Sequence, residues 1–424
     1  MANFTEWILI ITSSILFIKS FNRILNYNSK SVADYVMLVI YVFNCLPVLL
    51  DNLVGIPKYV SWFYKFKLAL ENDTVSIIYS LYILASIISL AFYLKRKNRN
   101  SVNDVYSHNN SILFNNRILP IIILLPYMHI LISGNTSSYF IYGTMSSRGL
   151  ANNFYQMNTF LVFISIFAFC CLFFSKNRSI KAYLFLLLPY AFSIAWVDGK
   201  RYIIVTLIIT FLYFYLNSIN ARMKKIPIKS VFLFIAFGFL IFNFIYALYV
   251  KPIATNSFDS MYSSYRIDFG RDDVTKFVLY REIILEEPIL EYRGETFIST
   301  VFTFVPRDIW PSKPYPHYRY LSAELYDTSI FDIPSGMTPS LYEMSVANLG
   351  VTLGMIFTIG ILILACLWAD NSKSVPRKAI YLLIIIGLLT QSIDSMLGFF
   401  VIVLLSGPAS LIKRSLRNKN RKKI

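Results

Sequence analysis

Runs of apolar residues near the length that a bilayer core demands of a helix recur along almost the whole chain, and this pattern constrains the fold more than any other feature. They predict spans at roughly 5–18, 33–50, 75–94, 118–133, 158–174, 182–197, 202–217, 230–250, 351–368, 379–393 and 396–412. With 56% hydrophobic residues among 424, a water-soluble domain is excluded. The expected fold is an all-α integral membrane protein with about eleven transmembrane helices, a single polytopic domain over residues 1–424. The first run has no Lys or Arg before it and is followed by Lys19, Arg23 and Lys30, the reverse of a cleaved signal peptide. It reads as a retained span with its amino terminus outside.

The net charge of +17 would suit a nucleic-acid binder, but the cations lie mainly between apolar runs, so no nucleic-acid partner is expected. If every run crosses, one side carries 25 of the 40 Lys and Arg residues, and the short loops opposite carry 6: Lys58, Lys65, Lys67, Arg148, Lys200 and Arg201. The richer side is cytoplasmic by the positive-inside bias, and it holds the carboxyl terminus. Asp394 interrupts the last apolar stretch and either serves a function or ends a helix. Merging the spans around it would place the basic tail outside, which favours two spans. Cys45, Cys170, Cys171 and Cys366 lie inside apolar runs and read as small core residues. His108, His129 and His317 are too scattered for a metal site, so neither metal nor cofactor is expected.

Between the eighth and ninth spans, residues 251–350 form a large extracytoplasmic loop with 9 Lys and Arg against 14 Asp and Glu. Its aromatic content separates it from a disordered linker and predicts a mostly helical fold. Asp272 or Asp273 is suited to cap a helix that presents Val274, Phe277, Val278 and Leu285 on one face, ready to sit on the membrane domain, with Arg281 and Glu282 more peripheral. A second amphipathic segment, 295–305, carries Phe297, Ile298, Val301 and Phe302 along one side, as an interfacial helix would, and Pro306 stops it. Prolines then punctuate 305–314, so side chains there project from a fixed backbone. Thr338-Pro339 suits a helix start leading into the ninth span.

Tyr292-Arg293-Gly294 followed by Val305-Pro306-Arg307-Asp308-Ile309-Trp310-Pro311-Ser312-Lys313-Pro314 resembles the bacterial O-antigen polymerases, the Wzy-type oligosaccharide repeat-unit polymerases. Ser147-Arg148-Gly149, Gly199-Lys200-Arg201 and Asn348-Leu349-Gly350 with Gly354 extend the resemblance from about the fifth span onward. The resemblance implies a multi-spanning glycosyltransferase of the bacterial cytoplasmic membrane that needs no metal. It would join polyprenyl-diphosphate-linked oligosaccharides, donor and acceptor, on the outer face. Membrane lipids are implied partners, and the family leaves room for a chain-length regulator protein. An O-antigen ligase, with the same donor, and a flippase or exporter of the same lipid-linked unit are alternatives. No inverted repeat or pair of broken helices supports a transporter, which also has little need of a hundred-residue loop on one face.

In such a reaction the diphosphate leaving group is the main charge to stabilise, and fixed cations can do this without metal. Arg148, Lys200, Arg201, Arg293, Arg307, Lys313 and Arg319 are the candidates, Arg307 first because the prolines confine it. Solvated surface charge, snorkelling at Lys200 and Arg201, or an Arg307–Asp308 pair that only shapes the turn would account for the same residues. Asp308, His317 and Glu343 are candidate bases for the acceptor hydroxyl, His317 equally a surface histidine among tyrosines. Trp310, Tyr315, Tyr318 and Tyr320 could stack on sugar rings, although aromatics are ordinary at a membrane interface.

Overall fold

Helices form where the apolar runs predict them, and all regular structure among the described residues is helical. The computed structural model describes residues 2–26, 31–59, 63–99, 118–140, 142, 149–150, 152–174, 180–200, 202–217, 258–303, 305–333, 336–372 and 374–404. The predicted span 230–250 and the end of the predicted span 396–412 lie outside the described residues.

The elements are α1 (Ala2–Leu25), α2 (Val32–Ile40), a π-helical turn (Tyr41–Cys45), α3 (Leu46–Val54), α4 (Tyr64–Leu70), α5 (Asp73–Arg99), α6 (Leu119–Ile132), α7 (Asn152–Phe174), α8 (Ile180–Asp198) and α9 (Tyr202–Leu216). There follow α10 (Phe258–Phe269), α11 (Asp272–Ile283), α12 (Glu295–Val301), α13 (His317–Tyr326), α14 (Leu341–Leu349), α15 (Val351–Asn371) and α16 (Val375–Thr390). Among the described residues five helices are long and apolar enough to cross a membrane: Phe4–Leu25, Val32–Val54, Asp73–Lys97, Phe154–Phe174 and Val351–Asn371. Shorter apolar helices occupy Leu119–Ile132, Phe185–Asp198, Tyr202–Leu216 and Asp394–Leu404. All four cysteines are free and buried.

The chain divides into two units. The first comprises Met1–Ser101, Ala221–Leu367 and Ile385–Asp394. Here α1 lies along α5 and α2, and α11 docks on α4, α5 and α14. The π turn precedes Pro47, which has no N–H to continue an α-helical ladder. Two carbonyls at this turn find outside donors: Arg271 N–H reaches that of Phe43 at 3.0 Å and the Tyr79 hydroxyl that of Asn44 at 2.9 Å. The second unit comprises Val102–Asn220, Trp368–Ile384 and Ser395–Ile424. In it α7 lies against α6 and α8, and α8 against α9, with Phe169 and Tyr190 stacked at 3.9 Å.

Several local expectations change. The residue capping α11 is Arg271, and Asp272 and Asp273 stand inside the first turn because their carboxylates hold Arg266. Val274, Phe277 and Val278 are buried as expected, but Leu285 lies past the helix end and is 41% exposed. Lys276 is buried, drawn in by Glu6 at 2.9 Å. The 295–305 segment is helical only to Val301, and the helix before α15 starts at Leu341, with Ser340 rather than Thr338 at its cap.

The resemblance motifs are points of close packing. Gly350, at φ 79°, turns the chain between α14 and α15. A Cβ on Gly354 would lie 2.5 Å from the Ser345 carbonyl oxygen, so only glycine lets α15 approach α14 this closely. Asn348 reaches back to α12, where its Oδ1 accepts the N–H groups of Thr296 at 3.2 Å and Phe297 at 3.3 Å. That remote cap satisfies donors which Gly294, the N-cap, cannot.

Candidate functional site

Pro306, Pro311, Pro314 and Pro316 hold a turn that three cations stitch together. Arg307 donates from Nη1 to the Lys313 carbonyl at 2.6 Å and from Nη2 to the Pro314 carbonyl at 3.2 Å. Its guanidinium lies 3.7 Å from the centre of the Tyr315 ring, and that of Arg319 lies 5.2 Å from the same ring. Lys313 Nζ donates to the carbonyls of Thr303 and Val305, each at 3.0 Å, and Arg319 to that of Ile330 at 3.4 Å. Partial burial and the neighbouring Arg307 lower the Lys313 pKa from its ordinary value. Trp310 bonds Ser312 at 3.0 Å and meets Phe302 edge-on at 6.0 Å. Asp308 is exposed, and the guanidinium of Arg307 is turned to the carbonyls instead of pairing with it.

Carbonyls and an aromatic face satisfy cationic donors without cancelling their charge. Elsewhere in this unit the pattern is different. Arg293 makes a two-pronged pair with Glu282, both bonds 2.6 Å, and donates to the Ala347 carbonyl at 2.9 Å, locking α11 to the end of α14. Arg281 pairs with Glu287 and Glu324, and Lys65 with Asp327. Among the described residues, none of the ion pairs involves Arg307, Lys313 or Arg319. The sequence prediction that grouped Arg293 with Arg307 is therefore divided: Arg293 is neutralised, while the 305–320 turn retains positive charge.

His317 is a fully buried first residue of α13, not a surface histidine. Its Nδ1 lies 3.3 Å from the Thr296 hydroxyl, Nε2 has no partner, and burial pushes its pKa down to about 3. A neutral imidazole sealed from solvent is not placed to take a proton from a sugar hydroxyl. Glu343 is likewise committed: its carboxylate accepts the Ser340 hydroxyl at 2.6 Å and the Ser340 N–H at 2.5 Å in a capping box. Burial raises its pKa to about 7 against those hydrogen bonds. Asp394 accepts the Thr300 hydroxyl and the backbone N–H of His317, so it caps α13 from a distant part of the chain.

The first unit also holds a network that sequence reading missed. Arg266, with no exposed side chain, is gripped by Asp51 at 2.7 Å, Asp272 at 2.7 Å and Asp273 at 2.6 Å. The Tyr59 hydroxyl donates to Asp273, and the Tyr262 hydroxyl to Asp51 at 2.7 Å. Burial raises the Asp273 pKa to about 7, opposed by Arg266 and reinforced by Asp272. The adjacent acids Asp272 and Asp273 were visible in the sequence, but nothing there named Arg266 or Asp51 as their partners.

In the second unit, Lys200 follows Gly199, whose φ of 74° turns α8 toward α9, and its ammonium lies 3.9 Å from Asp198. Arg148 and Arg201 lie outside the described residues. Comparison with protein-family models, with curated proteins and with solved structures finds no match to this chain.

Proposed function

We propose that this chain is a membrane glycosyltransferase that polymerises polyprenyl-diphosphate-linked oligosaccharide repeat units into O-antigen or a related surface polysaccharide, on the outer face of the bacterial cytoplasmic membrane. The observation that carries this reading is the 305–320 turn, in which Arg307 and Arg319 converge on Tyr315 and Lys313 donates to nearby backbone carbonyls, all three with neutral partners. A diphosphate is the ligand that such a turn suits, since its oxygens can take the remaining donors while the cations neutralise the charge that grows as the leaving group departs. The motif resemblance supports the same activity, with the 251–350 segment on the outer side by the cation distribution. Half-buried Trp310 and its neighbouring aromatics offer flat faces for a sugar.

Deleting the gene in its native host and separating the surface polysaccharide by length tests the reading. We expect the ladder of chain lengths to collapse to a single repeat unit. Full-length polymer left on its lipid carrier would indicate a ligase, and units trapped on the cytoplasmic face would indicate a flippase.

A further inference from the structure

The 305–320 turn and α12 form one piece, fastened within the first unit to the root of a helix long enough to span. Ser299 on α12 donates to the Pro314 carbonyl at 2.9 Å, and Lys313 Nζ donates to the carbonyls of Thr303 and Val305, just past the end of α12. Asn348, shortly before α15, accepts the N–H groups of Thr296 and Phe297. The Phe297 ring lies against that of Phe357, centres 5.4 Å apart. Phe357 is about 9 Å along the axis from the start of α15, a helix apolar enough to cross a membrane. The contact therefore sets α12 beside the first turns of that helix.

The outward side of this piece is apolar. Ile298 and Phe302 are exposed, Val301 is 62% exposed and Ile309 76%. Ile309 is held at the tip of the turn by its N–H to the Pro306 carbonyl at 3.2 Å. In the same stretch of the chain's first unit, α15 exposes Leu353 and Ile356 near its start, where a spanning helix meets lipid. Amphipathic helices at a bilayer surface bury their apolar side about 5–10 Å into the boundary between headgroups and acyl chains, which is the depth that the Phe297–Phe357 contact gives α12. Charge chooses the occupant. From Phe297 to Tyr320 there are three cations, Arg307, Lys313 and Arg319, and one acid, the exposed Asp308. A second copy of this chain, seated face to face, would bring the same excess of positive charge, whereas an anionic leaflet brings the opposite sign.

We propose that α12 and the 305–320 turn are a membrane-inserting element that docks on the anionic phospholipids of the leaflet. Ile298, Val301, Phe302 and Ile309 enter the acyl boundary beside α15, and Arg307 and Lys313 lie at the level of the headgroup phosphates. Apolar burial sets the depth, and the cations select the lipid. The docking is independent of the polymerase reading, although it would hold the turn where the diphosphate of a membrane-embedded polyprenyl chain lies.

The test attaches an environment-sensitive fluorophore to full-length protein carrying Ile309→Cys or, for comparison, Glu287→Cys, one protein to each lipid nanodisc. Both side chains are exposed, Glu287 to 65%, so neither change disturbs packing. Wild-type protein supplies the labelling background, since Cys45, Cys170, Cys171 and Cys366 are buried. With phospholipids brominated along their acyl chains, we expect the label at residue 309 to be quenched at least about twofold more than that at residue 287. Exchanging part of the phosphatidylcholine for phosphatidylglycerol should deepen the quenching at residue 309, and Arg307→Gln with Lys313→Gln should abolish that dependence on lipid charge. Quenching at residue 309 no greater than at residue 287 overturns the proposal, as does a label shielded from water yet insensitive to brominated chains, the mark of a protein on this face. Quenching that ignores phosphatidylglycerol in otherwise unaltered protein overturns the choice of an anionic leaflet.

Discussion

Arg293 and Arg307 occupy similar sequence settings, each in a short turn between aromatic segments, yet their chemistry differs because of what lies across the fold. Glu282, eleven residues before Arg293, cancels its charge, whereas Arg307 faces carbonyls from its own turn. Such a difference was illegible in the sequence, since helical spacing does not say where α11 places Glu282. The same blindness hid Arg266 and Asp51, since nothing in the sequence names them as partners of Asp272 and Asp273. For Arg307, turn-shaping and anion-binding roles separate by substitution. Arg307→Gln can still donate to a carbonyl but has no charge, and Arg307→Lys keeps the charge without the planar fork. Polymer formation should fall on the order of a hundredfold in Arg307→Gln and partly recover in Arg307→Lys, with normal membrane levels by immunoblot. A turn-shaping role alone would leave Arg307→Gln with a normal ladder. Lys67→Ala is the control, a 55% exposed side chain in a weak pair with Glu71.

At the scale of elements, the period of apolar residues located the helices, but prolines did not locate their ends: Pro126 and Pro189 lie inside α6 and α8, and α12 stops at Val301, before Pro306. What the period could not give was the direction each face points. α12 turns Thr296, Ser299 and Thr300 inward to meet Asn348, Asp394 and the 305–320 turn, while Ile298, Val301 and Phe302 remain exposed, the arrangement expected of a helix whose apolar side lies at a bilayer surface. Helix starts were blurred for a related reason, because α12 and α13 are capped by residues distant in sequence. α14 is the exception, with Ser340 and Glu343 forming a local capping box. Burial raises the Glu343 pKa to about 7, so between about 4.5 and 7 the unfolded chain releases a proton that the folded one keeps. Stability from this group is therefore full below that window and falls as pH rises through it. Gln can replace Glu in the box but does not titrate. Glu343→Gln should thus flatten the decline in melting temperature between pH 4.5 and 7 while retaining helix content by circular dichroism; an unchanged slope would show that Glu343 does not titrate in this range.

For the whole molecule, the all-α class and its long apolar helices were legible because hydropathy and chain length bear directly on what can cross a bilayer. The division into two units, each assembled from segments far apart in sequence, was not, because no local pattern encodes which helices meet. The proposed reaction belongs to this scale, as it needs a membrane-embedded chain that presents the cationic 305–320 turn to a lipid-linked substrate. Its most direct measurement uses the purified full-length protein in liposomes, given a polyprenyl-diphosphate-linked repeat unit from its native host, with no nucleotide sugar and with EDTA present. The account predicts a ladder of lipid-linked products longer than one repeat, with polyprenyl diphosphate released for each bond formed. Unextended substrate from protein that has retained its fold would contradict it.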